Sequence, residues 1–267
     1  MEETMTSRIS VQDPCFAAGI AVVAGGSGGI GAAICLALAG AGSDIALTYR
    51  NKEQAARDVA DQVQSLGRTA EIAQLRLEDA EAVKSYIDDL AGRHGRLHSV
   101  IYAAGPPLPI KFISQLTPRE WKDVFDADVN GCFNLVWACL PHLKRQGGGT
   151  ITALITAAVD MAPPRDILSA APKAAIEMLI RGVAKEEGRY GVRANCVGPG
   201  MINAGLGREL IGHAEDTAGL AEKLRNAASL KRFGEAHEVA EAVLFLASSR
   251  AAFITGHSIH VDGGARL

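Results

Sequence analysis

The feature that most constrains this chain is a glycine-dense turn near its start, Ala24-Gly25-Gly26-Ser27-Gly28-Gly29-Ile30-Gly31. It separates an apolar run, Gly19 to Ala24, from an Ala- and Leu-rich run, Ile30 to Ala39. A short continuous apolar run suits a strand buried on both faces, and the longer small-residue run suits a helix packed closely on it. The alternation continues. Further strand candidates are Asp44 to Thr48, Thr69 to Leu75, Ser99 to Ala103, Thr150 to Ile155, Val192 to Val197 and Ser258 to Val261. Between them stand helix candidates: Glu53 to Leu66, one ending near Ala91, a long one from Glu120 to about His142, Ile167 to Glu187, and Glu238 to Leu246. Strands alternating with helices require right-handed crossovers and a parallel sheet. The expected fold is α/β, a Rossmann-type doubly wound sheet of about seven strands with helices on both faces.

No internal repeat or low-complexity linker interrupts the pattern. The reading is a flexible tail over residues 1–14 and a single domain over residues 15–267. The glycine-punctuated stretch 199–229 is long for a connection and reads as a mobile segment covering a site. With 27 basic and 30 acidic residues the net charge is −3, and no Lys/Arg-dense run exists, so neither nucleic acid nor an anionic membrane is an expected partner. The five cysteines (Cys15, Cys35, Cys132, Cys139 and Cys196) are scattered without ligand spacing, which suits reduced thiols better than a disulfide framework or a metal site. Residues Met1 to Asp13 lack the apolar core of a secretory signal, and no apolar run is long and glycine-poor enough to cross a bilayer. The expectation is a soluble cytoplasmic enzyme acting on a small molecule.

The glycine turn carries chemistry as well as topology. Gly25, Ser27, Gly29, Ile30 and Gly31 let the backbone pass close to a pyrophosphate, while the next helix presents unpaired N–H groups and its positive end. Its position after a strand and before a helix reads as a dinucleotide site. The end of the second strand then chooses the cofactor. An acid there would bind the ribose 2′-hydroxyl of NAD, but the segment is Thr48-Tyr49-Arg50-Asn51. Arg50 can pair with a 2′-phosphate, and Ser27 and Asn51 can add hydrogen bonds, so the expected cofactor is NADP(H). The competing reading of Arg50 is a solvated surface charge.

Several ordered motifs together resemble the short-chain dehydrogenase/reductase family over nearly the whole chain: Gly25 to Gly31, Asn130-Gly131, Lys173, Arg193-Ala194-Asn195, Pro199-Gly200, and Ile254-Thr255-Gly256 with Val261-Asp262-Gly263-Gly264. The resemblance implies a seven-stranded sheet and a homotetramer. It also implies a catalytic set of Asn, Ser, Tyr and Lys in which the lysine binds the nicotinamide ribose and lowers the tyrosine pKa. On that pattern Lys173 is the lysine, Asn130 the asparagine, Thr156 stands for the serine, and Ser169 stands where the tyrosine belongs. The adenine-facing pair becomes Arg76-Leu77, Ile202 falls among the cofactor contacts, and Ala204 replaces a threonine that caps the carboxamide.

Losing the tyrosine matters because an aliphatic hydroxyl is far less acidic than a phenol and shorter, and general acid catalysis is worth roughly 10²–10⁴-fold. Three readings follow: a non-catalytic NADP(H)-binding protein or assembly subunit, a weak ketoreductase with a substitute donor, or a reductase whose substrate needs no acid. A cationic iminium or zwitterionic ring already carries the charge that protonation creates. Such a site wants an anion, and Asp166, one helical turn before Ser169, supplies it; the competing role is a helix cap. The absent tyrosine together with this aspartate resembles the fungal reductases of bridged prenylated indole alkaloids, of the malbrancheamide and paraherquamide type. That resemblance implies reduction of a zwitterionic pyrazinone and an intramolecular Diels–Alder closure, with Asp166 as the anion.

Overall fold

β1 (Ile20–Ala24) is buried at every position, so the sheet that holds it must be covered on both faces. In the computed structural model, which describes residues 15–205, 207–208, 211–212 and 219–267, β1 pairs in parallel with β2 (Asp44–Tyr49) on one side and β4 (Leu97–Tyr102) on the other. β3 (Ala70–Gln74) extends the first side; β5 (Gly149–Leu154), β6 (Val192–Pro199) and β7 (Ser258–Val261) extend the second. The order is β3-β2-β1-β4-β5-β6-β7, all parallel.

Side chains alternate along β1, and each set meets a different helical layer. Ile20, Val22 and Ala24 pack with Val83, Ile87 and Leu90 of α3 (Ala80–His94) and with Leu135 and Leu143 of α5 (Gly131–Arg145). Ala21 and Val23 pack with Ile34 and Leu38 of α1 (Gly29–Gly40) and with Val239 and Val243 of the helix Ala236–Ala247. α2 (Glu53–Ser65) carries its charges outward and buries Ala56, Val59 and Val63.

Starts and stops follow local chemistry. Asp79 caps α3 by accepting from the Ala82 N–H at 3.0 Å, and Gly95 ends it at φ 72. α4 (Pro118–Phe125) opens with Pro118 at its first position and a capping box between Thr117 and Glu120.

The long helix expected from Glu120 to about His142 is not continuous. α4 runs into a π-helical turn, Asp126–Asn130, before α5 begins. A π turn holds one more residue than an α turn, so side chains beyond it are rotated from their α-helical places. α7 (Ile167–Glu187) follows a one-turn helix, α6 (Ala158–Met161). Two further α-helices follow, α8 (Leu220–Ala227) and α9, the helix Ala236–Ala247. The covering segment expected over 199–229 lies partly outside the described residues, as does the whole 1–14 tail. Within the described residues no helix is long and apolar enough to cross a membrane, no His/Cys/Asp/Glu group is placed to hold a metal, and the five cysteines are free thiols.

Candidate active site

Because all strands are parallel, Ala24, Tyr49, Gln74, Tyr102, Leu154, Pro199 and Val261 end on the same edge of the sheet. Chain winding reverses between β1 and β4, which opens a crevice there.

At the β1 end the glycine turn is built for close approach. A Cβ on Gly31 would lie 2.2 Å from the Gly25 carbonyl oxygen, and one on Gly29 would lie 2.6 Å from the Gly205 backbone nitrogen. The Gly28 N–H donates to the Gly25 carbonyl at 3.0 Å, whereas Gly29, Ile30 and Gly31 stand in the first turn of α1, where the helix offers no acceptor. These residues fit a pyrophosphate.

At the β2 and β3 ends, Arg50 and Arg76 both donate to Glu78 Oε1, at 2.9 and 2.7 Å. They line a cleft of about 430 Å³ with Pro106, Pro107 and Asp126. Arg50 is thus half of a two-arginine clamp around one carboxylate, with the Arg50 and Arg76 side chains 46% and 65% exposed. Arg76, read from sequence only as part of the adenine-facing pair, is its other half; an arginine two residues past the third strand was the available signal. Asn51 is exposed beside Arg50, and Ser27 is half-buried in the turn. Leu77 and Ile202 are buried in the two cores, so any contact they make with a cofactor comes through their backbone or the edge of the side chain.

At the β4 and β5 ends the structure corrects one assignment. Asn130 is exposed and donates to Asp126 Oδ1 at 2.9 Å; it does not meet Lys173. The π turn directs Asp128 inward instead. Lys173 Nζ donates to Asp128 Oδ1 at 2.8 Å and to the Ala104 carbonyl at 3.2 Å. The Tyr102 hydroxyl donates to the same Asp128 oxygen at 2.8 Å and lies 2.9 Å from the Asp128 carbonyl. The side chains of Lys173 and Asp128 are 12% and 4% exposed, so this pair is dry. Burial, then the neighbouring Asp128, holds the Tyr102 phenol well above its ordinary pKa. Asp128 was not legible as a site residue, because an acid in mid-helix looks structural; Tyr102 begins the Tyr102-Ala103-Ala104-Gly105 segment, where the family pattern has Asn-Asn-Ala-Gly.

Thr156 directs its hydroxyl at its own turn, accepting from the Ala158 N–H at 3.2 Å. Asp166 occupies the N-cap position of α7, and its carbonyl accepts from the Ser169 and Ala170 N–H groups, both at 3.0 Å, but its carboxylate makes no capping bond. Burial raises its pKa from the usual 3.8 to about 6. The preceding Arg165 has φ 70 and directs its guanidinium away, to the Ile110 carbonyl at 3.1 Å and over the Phe112 ring.

A doubly wound parallel sheet with a glycine turn at its switch point and a buried lysine on the facing helix defines an α/β oxidoreductase architecture. Residues 24–266 match the family described as enoyl-(acyl carrier protein) reductase. The chain is 31% identical to the 3-oxoacyl-(acyl-carrier-protein) reductase FabG of Staphylococcus aureus over 244 residues, 91% of this chain and 96% of that protein. In three dimensions it resembles a short-chain type dehydrogenase/reductase from Mycobacterium ulcerans (TM-score 0.87, 27% identity, 93% of this chain and 90% of that one). It also resembles a short-chain dehydrogenase from Burkholderia cenocepacia solved in complex with NADP (TM-score 0.86, 29% identity, 96% and 100%). The chain belongs to the short-chain dehydrogenase/reductase family.

Proposed function

We propose that this protein is an NADPH-dependent reductase of a C=N substrate that arrives already cationic or zwitterionic. The observation that carries the reading is the Asp166 carboxylate: half-buried, uncapped, and one helical turn before the serine that stands in place of a tyrosine. An anion held from water without a partner is costly, and a cationic ligand offsets that cost.

Arg50 and Arg76 would hold the 2′-phosphate, the Gly25 to Gly31 turn the pyrophosphate, and Lys173 the nicotinamide ribose. Bound NADPH supplies the hydride. An iminium carbon would take that hydride as the C=N π pair moved to nitrogen and cancelled its charge, so the site would need no proton donor. Asp166 captures the cation beside the cofactor, and it speeds the step to the extent that the transition state keeps part of that positive charge. The reading extends to an intramolecular Diels–Alder closure of the reduced product in the same pocket, as in the fungal alkaloid reductases that the motif resembles.

A second reading rests on the same residue. A carboxyl group with a pKa of about 6 also suits a general acid at neutral pH, protonating a neutral carbonyl or imine as hydride arrives. The pH profile separates the two. An anionic role makes kcat/KM for an N-alkylated cyclic iminium rise as pH climbs through about 6, whereas an acid role makes turnover of a neutral ketone fall over the same interval. Asp166→Asn should bind NADPH as the wild type does and lose most iminium reduction; full turnover by this variant would sink both readings. An NADPH-binding protein that turns over neither substrate class would leave the non-catalytic binder standing.

A further inference from the structure

The described residues place one cation, Lys173, beside the position where the family pattern has a phenol, and the structure gives that cation a dedicated partner. Asp128 Oδ1 receives two hydrogen bonds, from Lys173 Nζ at 2.8 Å and from the Tyr102 hydroxyl at 2.8 Å. One oxygen of the Asp128 side chain thus accepts from an ammonium and a phenol at once, using both of its lone pairs. The pair is nearly dry, so its Coulomb attraction is little screened. Two other titratable groups sense Lys173, the thiols of Cys132 and Cys196, and burial raises both, so they carry no charge at neutral pH. Lys173 has three N–H donors; Asp128 and the Ala104 carbonyl take two, leaving one for a ligand.

We infer that Asp128, locked by Tyr102, is a positioning residue that cancels the charge of Lys173, so that the lysine holds a ligand hydroxyl but cannot acidify a neighbouring group. A cation a few ångströms from a phenol favours the phenolate, while a cation already neutralised by a carboxylate at hydrogen-bond distance does so far less. Ser169 lies one helical turn from Lys173, the spacing at which two side chains meet. The loss of an acid at Ser169 and the presence of an anion at Asp128 are then two parts of one arrangement, and restoring the first alone would not restore acid catalysis. The inference rests on the triad geometry and not on a cationic substrate, so it fails or stands separately from the proposed function.

The test introduces a phenol with S169Y and compares it with the double variant S169Y/D128N, in the protein without cofactor. Phenolate absorbance is followed against pH, with wild type and D128N subtracting the native tyrosines. The introduced phenol is expected to ionise about one to two pH units lower in the double variant than in S169Y. Reduction of a neutral ketone should be at least about tenfold faster in the double variant, the span of a one-unit shift. Identical titration of the phenol in both variants overturns the inference. Asparagine keeps the acceptor oxygen and the shape, so a merely structural Asp128 predicts no difference. Urea unfolding of D128N, K173M and D128N/K173M supplies an independent reading. Coupled charges make the double variant more stable than the sum of the two single losses allows, and additive losses overturn the pairing.

Discussion

Asp166 works against the stability of the protein that carries it. Its pKa is raised on folding from 3.8 to about 6, so the folded state holds the proton more tightly than the unfolded chain does. Stability therefore declines as pH rises from about 4 to about 6 and stays lowered above that. Asp166→Asn removes the penalty without removing a cap, because the carboxylate caps nothing. The variant should unfold at the wild-type temperature below pH 4 and at a higher temperature at pH 7, read by thermal denaturation at both values. A lower unfolding temperature at every pH would mark a structural role instead. The arginine clamp gives a second prediction at this scale. Arg50→Ala removes one of two guanidiniums that can meet a 2′-phosphate, and charge-assisted pairs contribute about 1.5–3 kcal/mol, roughly 10–150-fold in affinity. NADPH affinity should fall by that order while NADH affinity changes little, with Arg76 retaining part of the preference. Equal wild-type affinities for the two cofactors would remove the assignment.

Elements were legible in the sequence where local pattern decides them. The β1 run, the glycine turn and the small-residue α1 follow from neighbours in the chain, and so does the capping box of α4. The break between α4 and α5 was not legible, since no Gly or Pro stands between Trp121 and Val129 to announce it. It is a tertiary matter, tied to the burial of Asp128 against Tyr102 and Lys173, and missing it gave Asn130 the place beside Lys173 that Asp128 occupies. The segment from Pro106 to Ile113 hid a second link. Arg165 reaches across to Ile110 and Phe112, so the turn before α7 and the stretch after β4 form one wall. Arg165 also stands at φ 70, a conformation that glycine adopts without steric cost. Arg165→Gly should keep or slightly raise stability while deleting the link. The expected signature is a several-fold higher KM for the reducible substrate with NADPH affinity unchanged. An unchanged KM would show that the wall does not touch the substrate.

Across the whole molecule, residues far apart in sequence converge on the turn between β5 and α7. That turn contains two non-glycine residues with positive φ, Ala162 at 44 and Arg165 at 70, and such conformations persist only where the surroundings impose them. One restraint is the Arg165 link. The other comes from the end of the chain: Arg266 donates to Asp160 Oδ2 at 2.7 Å and to Asp262 Oδ2 at 3.2 Å, tying the residues after β7 to the residues after β5. The Arg266 and Asp160 side chains are 33% and 46% exposed, so the bridge contributes at most about 1 kcal/mol to global stability. Its effect on a strained turn is local. Removing it frees Asp160, two residues before Ala162, from that anchor, and the turn can open without unfolding the sheet. Arg266→Ala is therefore expected to leave the unfolding temperature nearly unchanged and to speed amide hydrogen exchange over residues 158–166. Exchange in β1 and α1 should stay as in the wild type. Because Asp166 stands at the end of that turn, turnover should fall with it. Unaltered exchange in the turn, or an equal loss of protection throughout the sheet, would show that the C-terminal bridge has no part in shaping the site.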